Sequence, residues 1–190
     1  MSGRGLRRHG RRTFAVAALA LTLVAGGAGT YLVLDPGGSS AQASGLTRYA
    51  DTRAGFELAY PAGWTPSAIP EGVLFQQAPS QNAISVKKVT LVQAVDASNV
   101  DALRAVTDAV LSKPEAELEV LSTGPAGIGG LPGVSYVYRF GTGAAQGIHT
   151  HYFVFSGRDM YTLVFQALPA AGFEALAPTF DAVARTFRVL

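Results

Sequence analysis

The chain has 190 residues, 48% of them hydrophobic, with 15 Lys and Arg, 13 Asp and Glu and no cysteine. The lack of cysteine excludes structural disulfides, thiol nucleophiles, cysteine-based metal sites and a lipid anchor attached to cysteine. Five arginines lie within residues 1–12, which leaves 10 basic against 13 acidic residues, a net charge of −3, in the remainder. Nucleic-acid-binding domains present a basic surface, so we exclude a nucleic-acid partner for the folded part.

The first 34 residues have the pattern of an export segment. Residues 1–12 form a basic n-region without any acid, and residues 13–34 carry no charge. A helix needs about 20 apolar residues to cross a bilayer, and basic flanking residues stay on its cytoplasmic side. We therefore predict a single-pass transmembrane signal anchor in the cytoplasmic membrane, with everything after Leu34 on the extracytoplasmic side.

Cleavage is the alternative to this anchor. Ala41-Gln42-Ala43 resembles the small-residue site at which a signal peptide is cut, and cleavage near Ala43 would give a secreted protein. Ala43 lies nine residues beyond Leu34, which is far for a peptidase that cuts near the end of the apolar run. We therefore favour retention. Arg11-Arg12-Thr13-Phe14 resembles a twin-arginine signal, and the choice between that route and the general secretory route stays open.

The folded domain is predicted to occupy residues 47–190. Residues 35–46 are rich in Gly, Ser and Ala and carry too little apolar mass to pack, so they are expected to form a flexible linker. The domain that follows is long enough to bury one hydrophobic core.

The first part of the domain is predicted to contain three strands. The large residues Phe56, Leu58 and Tyr60 alternate with Glu57 and Ala59, the period of a half-buried strand, which Pro61 ends. Trp64, the only tryptophan, follows this corner and is expected to be buried in the core. After a loop come strands at residues 73–76 and 83–92, the second with a bulge predicted at Lys87-Lys88, where the apolar face switches.

A helix and a strand are predicted next. Ser98–Asp101 offers an N-cap and an acidic first turn, and apolar residues then recur at helical spacing up to Leu111. Pro114 is expected to end this helix. A strand is predicted at residues 117–122, followed by a glycine-rich loop at residues 124–133.

The C-terminal part is predicted to be an antiparallel meander followed by a helix. Strands are expected at Val134–Phe140, Ile148–Phe155 and Met160–Ala167, and Ser156–Asp159 is short enough for a hairpin turn between the last two. The apolar residues from Phe173 to Phe187 recur at helical spacing, and we expect Pro178 to split this stretch into two helical pieces. The order of elements predicts an α+β fold, with helices flanking a central antiparallel β-sheet.

The stretch Phe56-Glu57-Leu58-Ala59-Tyr60-Pro61-Ala62-Gly63-Trp64 resembles the opening motif of the PsbP-like superfamily. This superfamily includes the Ran-binding Mog proteins and the LpqN-type lipoproteins of actinobacteria. The later elements agree with it, in that Gly130–Gly133 leads into a three-strand meander and a terminal helix ends at Thr186-Phe187. The resemblance covers about residues 47–190.

The resemblance implies an α/β/α sandwich around a central antiparallel sheet, in an exported bacterial protein of the actinobacterial type. The transmembrane or signal helix before this domain is predicted from the charge and hydropathy of residues 1–34. It further implies a domain without enzymatic activity or cofactor that acts as a binding or assembly factor for a protein or cell-envelope ligand. Many relatives are anchored through a lipidated cysteine, which the apolar helix replaces here. Four positions carry over as fold-making residues: Phe56, Tyr60, Pro61 and Trp64.

His149 and His151 are the sharpest chemical feature of the sequence. Two positions apart on one strand, they point to the same side and could present two imidazoles to Zn²⁺. Their face also carries Phe153 and Phe155, so a buried sheet face is the simpler interpretation. Glu57 and Asp159 are candidates for a third ligand. The alternative function is therefore a small-ligand or metal-binding carrier.

Two further hypotheses concern ligand binding and hydrolysis. Tyr136, Tyr138, Arg139 and Tyr152 could line a groove between the sheet and a helix. The glycine-rich stretch 127–132 has Pro132 where the third glycine of a phosphate-binding motif should stand and lacks the Lys-Ser/Thr of a phosphate loop, so we interpret it as a connector. No Gly-x-Ser-x-Gly motif is present, which makes a hydrolase the weakest of the hypotheses.

Overall fold

The computed structural model describes residues 45–111 and 118–190. The strands are β1 (Leu46–Asp51), β2 (Phe56–Pro61), β3 (Thr65–Ile69), β4 (Gly72–Gln76), β5 (Ala83–Val95), β6 (Leu118–Ile128), β7 (Leu131–Phe140), β8 (Gly147–Ala167) and β9 (Arg188–Val189). The helices are α1 (Val100–Leu111) and α2 (Phe173–Thr186), with 3₁₀ turns at Gly143–Ala145 and Ala170–Gly172. The n-region, the predicted anchor, residues 35–44 of the linker and Pro114 lie outside the described residues. No helix in the described ranges is long and apolar enough to cross a bilayer.

The strands form two antiparallel sheets. The large sheet has six strands in the order β3-β4-β5-β8-β7-β6, and the small sheet has three in the order β1-β2-β9. The predicted α+β class with a central antiparallel sheet is confirmed. The prediction missed the small sheet, because β1 begins at Leu46 inside the predicted linker and β9 has only two residues, too few for any periodicity. It also missed β3, whose Pro66 interrupts an otherwise weak strand pattern.

β8 is one extended run that reverses direction near Gly157. Residues 147–154 pair with β7, whereas residues 157–166 pair with β5. His149 Nε2 lies 2.7 Å from Gln166 Oε1, although 17 residues of straight strand would place these residues roughly 50 Å apart. Gly157 has a φ of +61°, the left-handed conformation that tight hairpin turns need. The reversal lies within the predicted turn Ser156–Asp159, and the extended conformation continues through it.

Each face of the large sheet is covered by different elements. On one face, the α2 face, the small sheet and α2 enclose a core that contains Phe56, Phe165 and Phe187, each fully buried. Trp64 belongs to the same core and is 8% exposed. On the opposite face, the α1 face, Val100 and Leu103 of α1 pack against a smaller cluster with these buried members: Val95, Val134, Tyr136, Tyr138, Phe153, Phe155 and Met160.

The predicted loop at residues 124–133 is wrong. β6 continues to Ile128 and β7 begins at Leu131, so that Gly129 and Gly130 alone make the turn. Their φ angles of +62° and +80° fit a two-residue hairpin turn, which glycine adopts without steric cost. Pro125 is tolerated because β6 is an edge strand, where one backbone N–H can be absent without loss of a ladder bond.

Two smaller predictions are also corrected. α2 runs through Pro178 without a break, because Pro178 is the sixth residue and deprives only the carbonyl of exposed Glu174, in the first turn, of its partner. The bulge predicted at Lys87-Lys88 is absent: the register of β5 with β8 is regular from Ala83 to Thr90 and shifts only between Thr90 and Val95. The apolar Val89 after the lysines is instead 39% exposed.

Candidate functional site

A hydrogen-bonded cluster of polar aromatic groups lies on the α1 face. The strand register places Tyr138 of β7 opposite His149 of β8. The Tyr138 hydroxyl lies 2.6 Å from His151 Nε2 and 3.1 Å from His149 Nδ1. His149 Nε2 lies 2.7 Å from Gln166 Oε1 on the second arm of the β8 hairpin. All three rings are buried, with exposures of 1% for Tyr138, 8% for His149 and 6% for His151.

The direction of these hydrogen bonds follows from Gln166. Its Nε2 donates to the Gln81 carbonyl at 2.7 Å, so its Oε1 faces His149 and accepts the Nε2–H. Nδ1 of a neutral His149 must then accept, and the Tyr138 hydroxyl donates to it. The Tyr138 oxygen in turn accepts the Nε2–H of His151. Each donor in this series of hydrogen bonds has an acceptor when both imidazoles are neutral.

Burial keeps the cluster in this neutral state. It lowers the pKa of His149, against the Gln166 hydrogen bond that raises it. Burial, followed by the proximity of His149, lowers the pKa of His151 from 6.5 to about 3. Burial also raises the pKa of Tyr138. The cluster therefore carries no charge at neutral pH, and its geometry is that of a packed hydrogen-bond network.

The two histidines share one face, as their spacing predicts, and their rings stack at a centroid distance of 5.4 Å. The candidates for a third metal ligand lie elsewhere: Glu57 pairs with Arg48, and Asp159 pairs with Lys88. Within residues 45–111 and 118–190 no group of three His, Asp or Glu side chains is placed to hold a metal ion. Both ring nitrogens of His149 already have partners. Metal binding by His149 and His151 stays a prediction.

The described structure gives no support to a hydrolase. Among the described residues, the hydrogen-bond partners of the two imidazoles are Tyr138 and Gln166, and no serine hydroxyl is one of them. A serine nucleophile needs a base within hydrogen-bonding reach.

The four residues predicted to line a groove do not share one. Tyr136 faces α1, where its hydroxyl donates to Asp108 Oδ1 at 2.8 Å, and burial together with this carboxylate raises its pKa to about 12. Tyr138 belongs to the histidine cluster. Arg139, next along β7, points to the other side and pairs with Glu119. Tyr152 of β8 packs edge-on against Phe165 on the α2 face. Alternation along the strands divides the four into two pairs, with Tyr136 and Tyr138 on the α1 face and Arg139 and Tyr152 on the other, because neighbouring residues face opposite sides of the sheet.

Tyr152 does line a groove, with other partners. An open groove of about 470 Å³ lies between the β6–β7 turn, the C-terminal half of α2 and β9. The residues that line it are Gly127, Ile128, Gly129, Gly130, Tyr152, Asp181, Ala184, Arg185 and Arg188. We call it the turn groove. Its walls thus combine a glycine turn without side chains, one phenol, one carboxylate and two guanidinium groups.

The Arg188 guanidinium is held at one edge of the turn groove. Its Nη1 donates to the carbonyls of Arg185 at 2.8 Å and Phe187 at 2.6 Å. Gly129 lies beneath it, and a Cβ at this position would stand 3.0 Å from the Phe187 carbonyl oxygen and 3.6 Å from Arg188 Cδ. Only glycine therefore fits there without displacement. Nε and Nη2 of Arg188 make no hydrogen bond within the described part of the chain.

The other polar side chains of the turn groove are also available for binding. Asp181 and Arg185 are one helical turn apart and exposed, yet neither side chain makes an ion pair or a hydrogen bond within residues 45–111 and 118–190. Burial raises the pKa of Tyr152, the Asp181 carboxylate raises it further, and the Arg185 guanidinium opposes them. Tyr152 is therefore a neutral hydroxyl, able to donate a hydrogen bond, between two opposite charges.

Sequence reasoning missed Gln166 and three of the groove residues. Gln166 could have been found, because a hairpin turn centred between Gly157 and Arg158 places Gln166 directly opposite His149. For Asp181 and Arg185 the only signal was their position on the polar side of the apolar stripe of α2, and Arg188 follows that helix in β9. That signal does not say which other element packs beside them.

The comparisons with known proteins agree with this architecture. The PsbP family model matches residues 44–189. The chain belongs to the PsbP family. No curated protein matches it.

Three solved structures with the same fold are similar to this PsbP-family chain. CyanoP, a cyanobacterial PsbP from Synechocystis sp. PCC 6803, is 21% identical, with a TM-score of 0.53, covering 80% of this chain and 98% of CyanoP. The Ran-binding protein Mog1p of Saccharomyces cerevisiae is 8% identical, with a TM-score of 0.50 and coverages of 76% and 95%. LpqN, involved in cell envelope biogenesis in Mycobacterium tuberculosis, is 12% identical, with a TM-score of 0.50 and coverages of 78% and 86%. The PsbP-like superfamily predicted from the opening motif is thus confirmed.

Proposed function

We propose that this protein is a non-enzymatic PsbP-family domain, tethered to the outer face of the cytoplasmic membrane, that binds a protein partner of the cell envelope. The single observation that carries the binding role is the turn groove. It gathers two guanidinium groups, a carboxylate and a phenol that make few contacts with the rest of the described chain. A concavity in which several polar groups converge, with donors and acceptors that the fold itself does not use, is typical of a binding site.

The chemistry of the described residues supports binding over catalysis. Three groups have strongly shifted pKa values, and all are buried and hydrogen-bonded within the fold: His151 and Tyr138 with each other, and Tyr136 with Asp108. A general base must reach its substrate, and these do not open onto the turn groove. Two structural neighbours, the Ran-binding protein Mog1p and LpqN, which is involved in cell envelope biogenesis, are compatible with the same kind of role.

The proposal of a membrane tether is based on the sequence of the N-terminal segment. Five arginines followed by an uncharged run over residues 13–34 favour a retained signal anchor with the domain outside. Release after cleavage near Ala43 is the alternative. N-terminal sequencing of the protein recovered from cells separates the two, because a retained anchor gives a chain that begins before residue 13. Protease added to intact spheroplasts should degrade the domain under either model, and protection of the domain would contradict both.

Site-specific photo-crosslinking in intact cells tests the binding role. A photo-reactive amino acid replaces Arg185 in the turn groove, and in a second chain it replaces Arg158, an exposed arginine outside the groove. We expect a discrete protein adduct at position 185, identified by mass spectrometry as an envelope protein and absent at position 158. The same adducts at both positions, or none at 185, would overturn the proposal.

A further inference from the structure

The turn groove has a defined charge pattern. Arg185 and Arg188 contribute two positive charges and Asp181 one negative charge, which leaves a local net charge of +1. A guanidinium presents several N–H donors in one plane and recognises a carboxylate or phosphate through paired hydrogen bonds. A single positive charge in excess is matched by an anion of one negative charge.

The groove is also shaped to let an anion approach. Nη1 of Arg188 is fixed by two backbone carbonyls, which orients the planar group and leaves Nε and Nη2 as donors. Gly129 and Gly130 present backbone without side chains beside it. A fixed guanidinium loses less conformational freedom on binding than a mobile one.

From these contacts we infer that the turn groove binds a single carboxylate of an acidic segment in a partner protein, with Arg188 and Arg185 as the donors and Asp181 as a filter against dianions. Asp181 carries no ion pair within the described residues, so its negative charge opposes a phosphate monoester, which bears close to two charges at neutral pH. Tyr152, neutral and half-buried, supplies a further hydroxyl donor. This inference rests on the proposed function, because it takes the turn groove as the contact surface for the partner.

Three blocked glycine-rich peptides test the inference, identical except for one central residue, which is glutamate, glutamine or phosphoserine. Each is titrated into the isotope-labelled full chain in zwitterionic detergent micelles, and amide shifts are followed by NMR. We expect the glutamate peptide to shift the amides of Gly129 and Gly130 and to bind at least roughly tenfold more tightly than the glutamine peptide. The phosphoserine peptide should bind no more tightly than the glutamate peptide.

Three variants sharpen the test. Arg188→Gln should weaken binding of the glutamate peptide about tenfold, whereas Arg158→Gln, at an exposed arginine outside the groove, should leave it unchanged. Asp181→Asn should strengthen binding of both anionic peptides and make phosphoserine the tighter ligand. Equal binding of the glutamate and glutamine peptides, shifts outside the groove, or a preference for phosphoserine in the unmodified chain would overturn the inference.

The two proposals fail in different ways. A groove-specific crosslink at position 185, combined with equal binding of the glutamate and glutamine peptides, refutes the carboxylate and leaves the binding function in place. Carboxylate-selective binding without any crosslinked partner in cells refutes the protein-binding function and leaves the anion selectivity of the groove.

Discussion

The Tyr138 hydroxyl oxygen lies 2.6 Å from Nε2 of His151, deep in the α1 face, and it accepts the Nε2–H of that ring. The same hydroxyl donates to Nδ1 of His149, which only a neutral imidazole can accept. Each histidine of the cluster has a folded-state pKa below its ordinary value of 6.5, because burial disfavours the charged ring. The unfolded chain therefore binds more protons than the folded chain below pH 6.5. The stabilisation is fully present above pH 6.5 and is lost as the pH falls towards the folded pKa, about 3 for His151.

We accordingly expect the free energy of unfolding to decrease between pH 6.5 and pH 4, by on the order of 1 kcal/mol per pH unit for His151, with a further decrease from His149. Urea titration followed by the fluorescence of Trp64, the only tryptophan, measures it. His151→Gln should flatten the slope in this window. Asp159, whose pKa is lowered chiefly by the Lys88 hydrogen bond, affects the free energy of unfolding below pH 3.8. It therefore does not contribute to the slope between pH 6.5 and pH 4. An unchanged slope in His151→Gln would contradict the assignment.

Removal of the hydroxyl from Tyr138 should destabilise the fold more than the same change at Tyr136. Tyr138→Phe leaves the Nε2–H of His151 and Nδ1 of His149 buried without partners, at a cost of roughly 1–3 kcal/mol. Tyr136→Phe breaks a hydrogen bond to Asp108, which is only half-buried and can be hydrated instead, so its cost should be smaller. Urea midpoints of the two variants compare them. An equal loss would mean that the cluster contributes nothing beyond an ordinary tyrosine hydrogen bond.

Thr186 connects the end of α2 to β2 across 127 residues of sequence. Its Oγ1 accepts a hydrogen bond of 2.7 Å from the Ala59 amide and donates to the Val183 carbonyl at 2.6 Å. Thr186→Val keeps the shape but orphans the Ala59 amide, which should cost about 1–2 kcal/mol of unfolding free energy. Thr186→Ser retains the hydroxyl and should cost much less. Hydrogen exchange of the Ala59 amide should accelerate in the valine variant alone; equal rates in both variants would contradict this role.

The sequence predicts most of the fold, because most elements carry their own periodicity. β2, β7 and both helices have alternating or helical apolar patterns that indicate directly which face is buried. β1 and β9 lack such patterns, since their place is set by pairing with β2 and not by their own residues. The glycine-rich stretch misled the prediction, because glycine predicts a break whether it forms a long loop or only the two turn residues Gly129 and Gly130.

The candidate site is likewise predictable from the sequence only in part. The alternation of β8 is sufficient to place His149 and His151 side by side, and the hairpin turn is sufficient to place Gln166 beside them. The turn groove depends on how α2 and β9 pack against the β6–β7 turn, a tertiary relationship between Arg188 and Gly129 that no local pattern in the sequence contains.

Gly129 and Gly130 form a matched pair for testing that relationship. Both have positive φ, so alanine at either position should cost about 1 kcal/mol or more in backbone strain. A Cβ at Gly130 meets nothing within 4 Å, whereas a Cβ at Gly129 stands 3.0 Å from the Phe187 carbonyl oxygen and close to the Arg188 side chain. Gly129→Ala should therefore destabilise the protein more than Gly130→Ala in urea titrations. It should also shift the NMR signals of Arg188 and reduce binding of the glutamate peptide, while Gly130→Ala leaves both nearly unchanged. If the two variants behave alike, Gly129 does not hold Arg188 in position, and the hypothesis that the fold preorganises the Arg188 guanidinium in the turn groove is wrong.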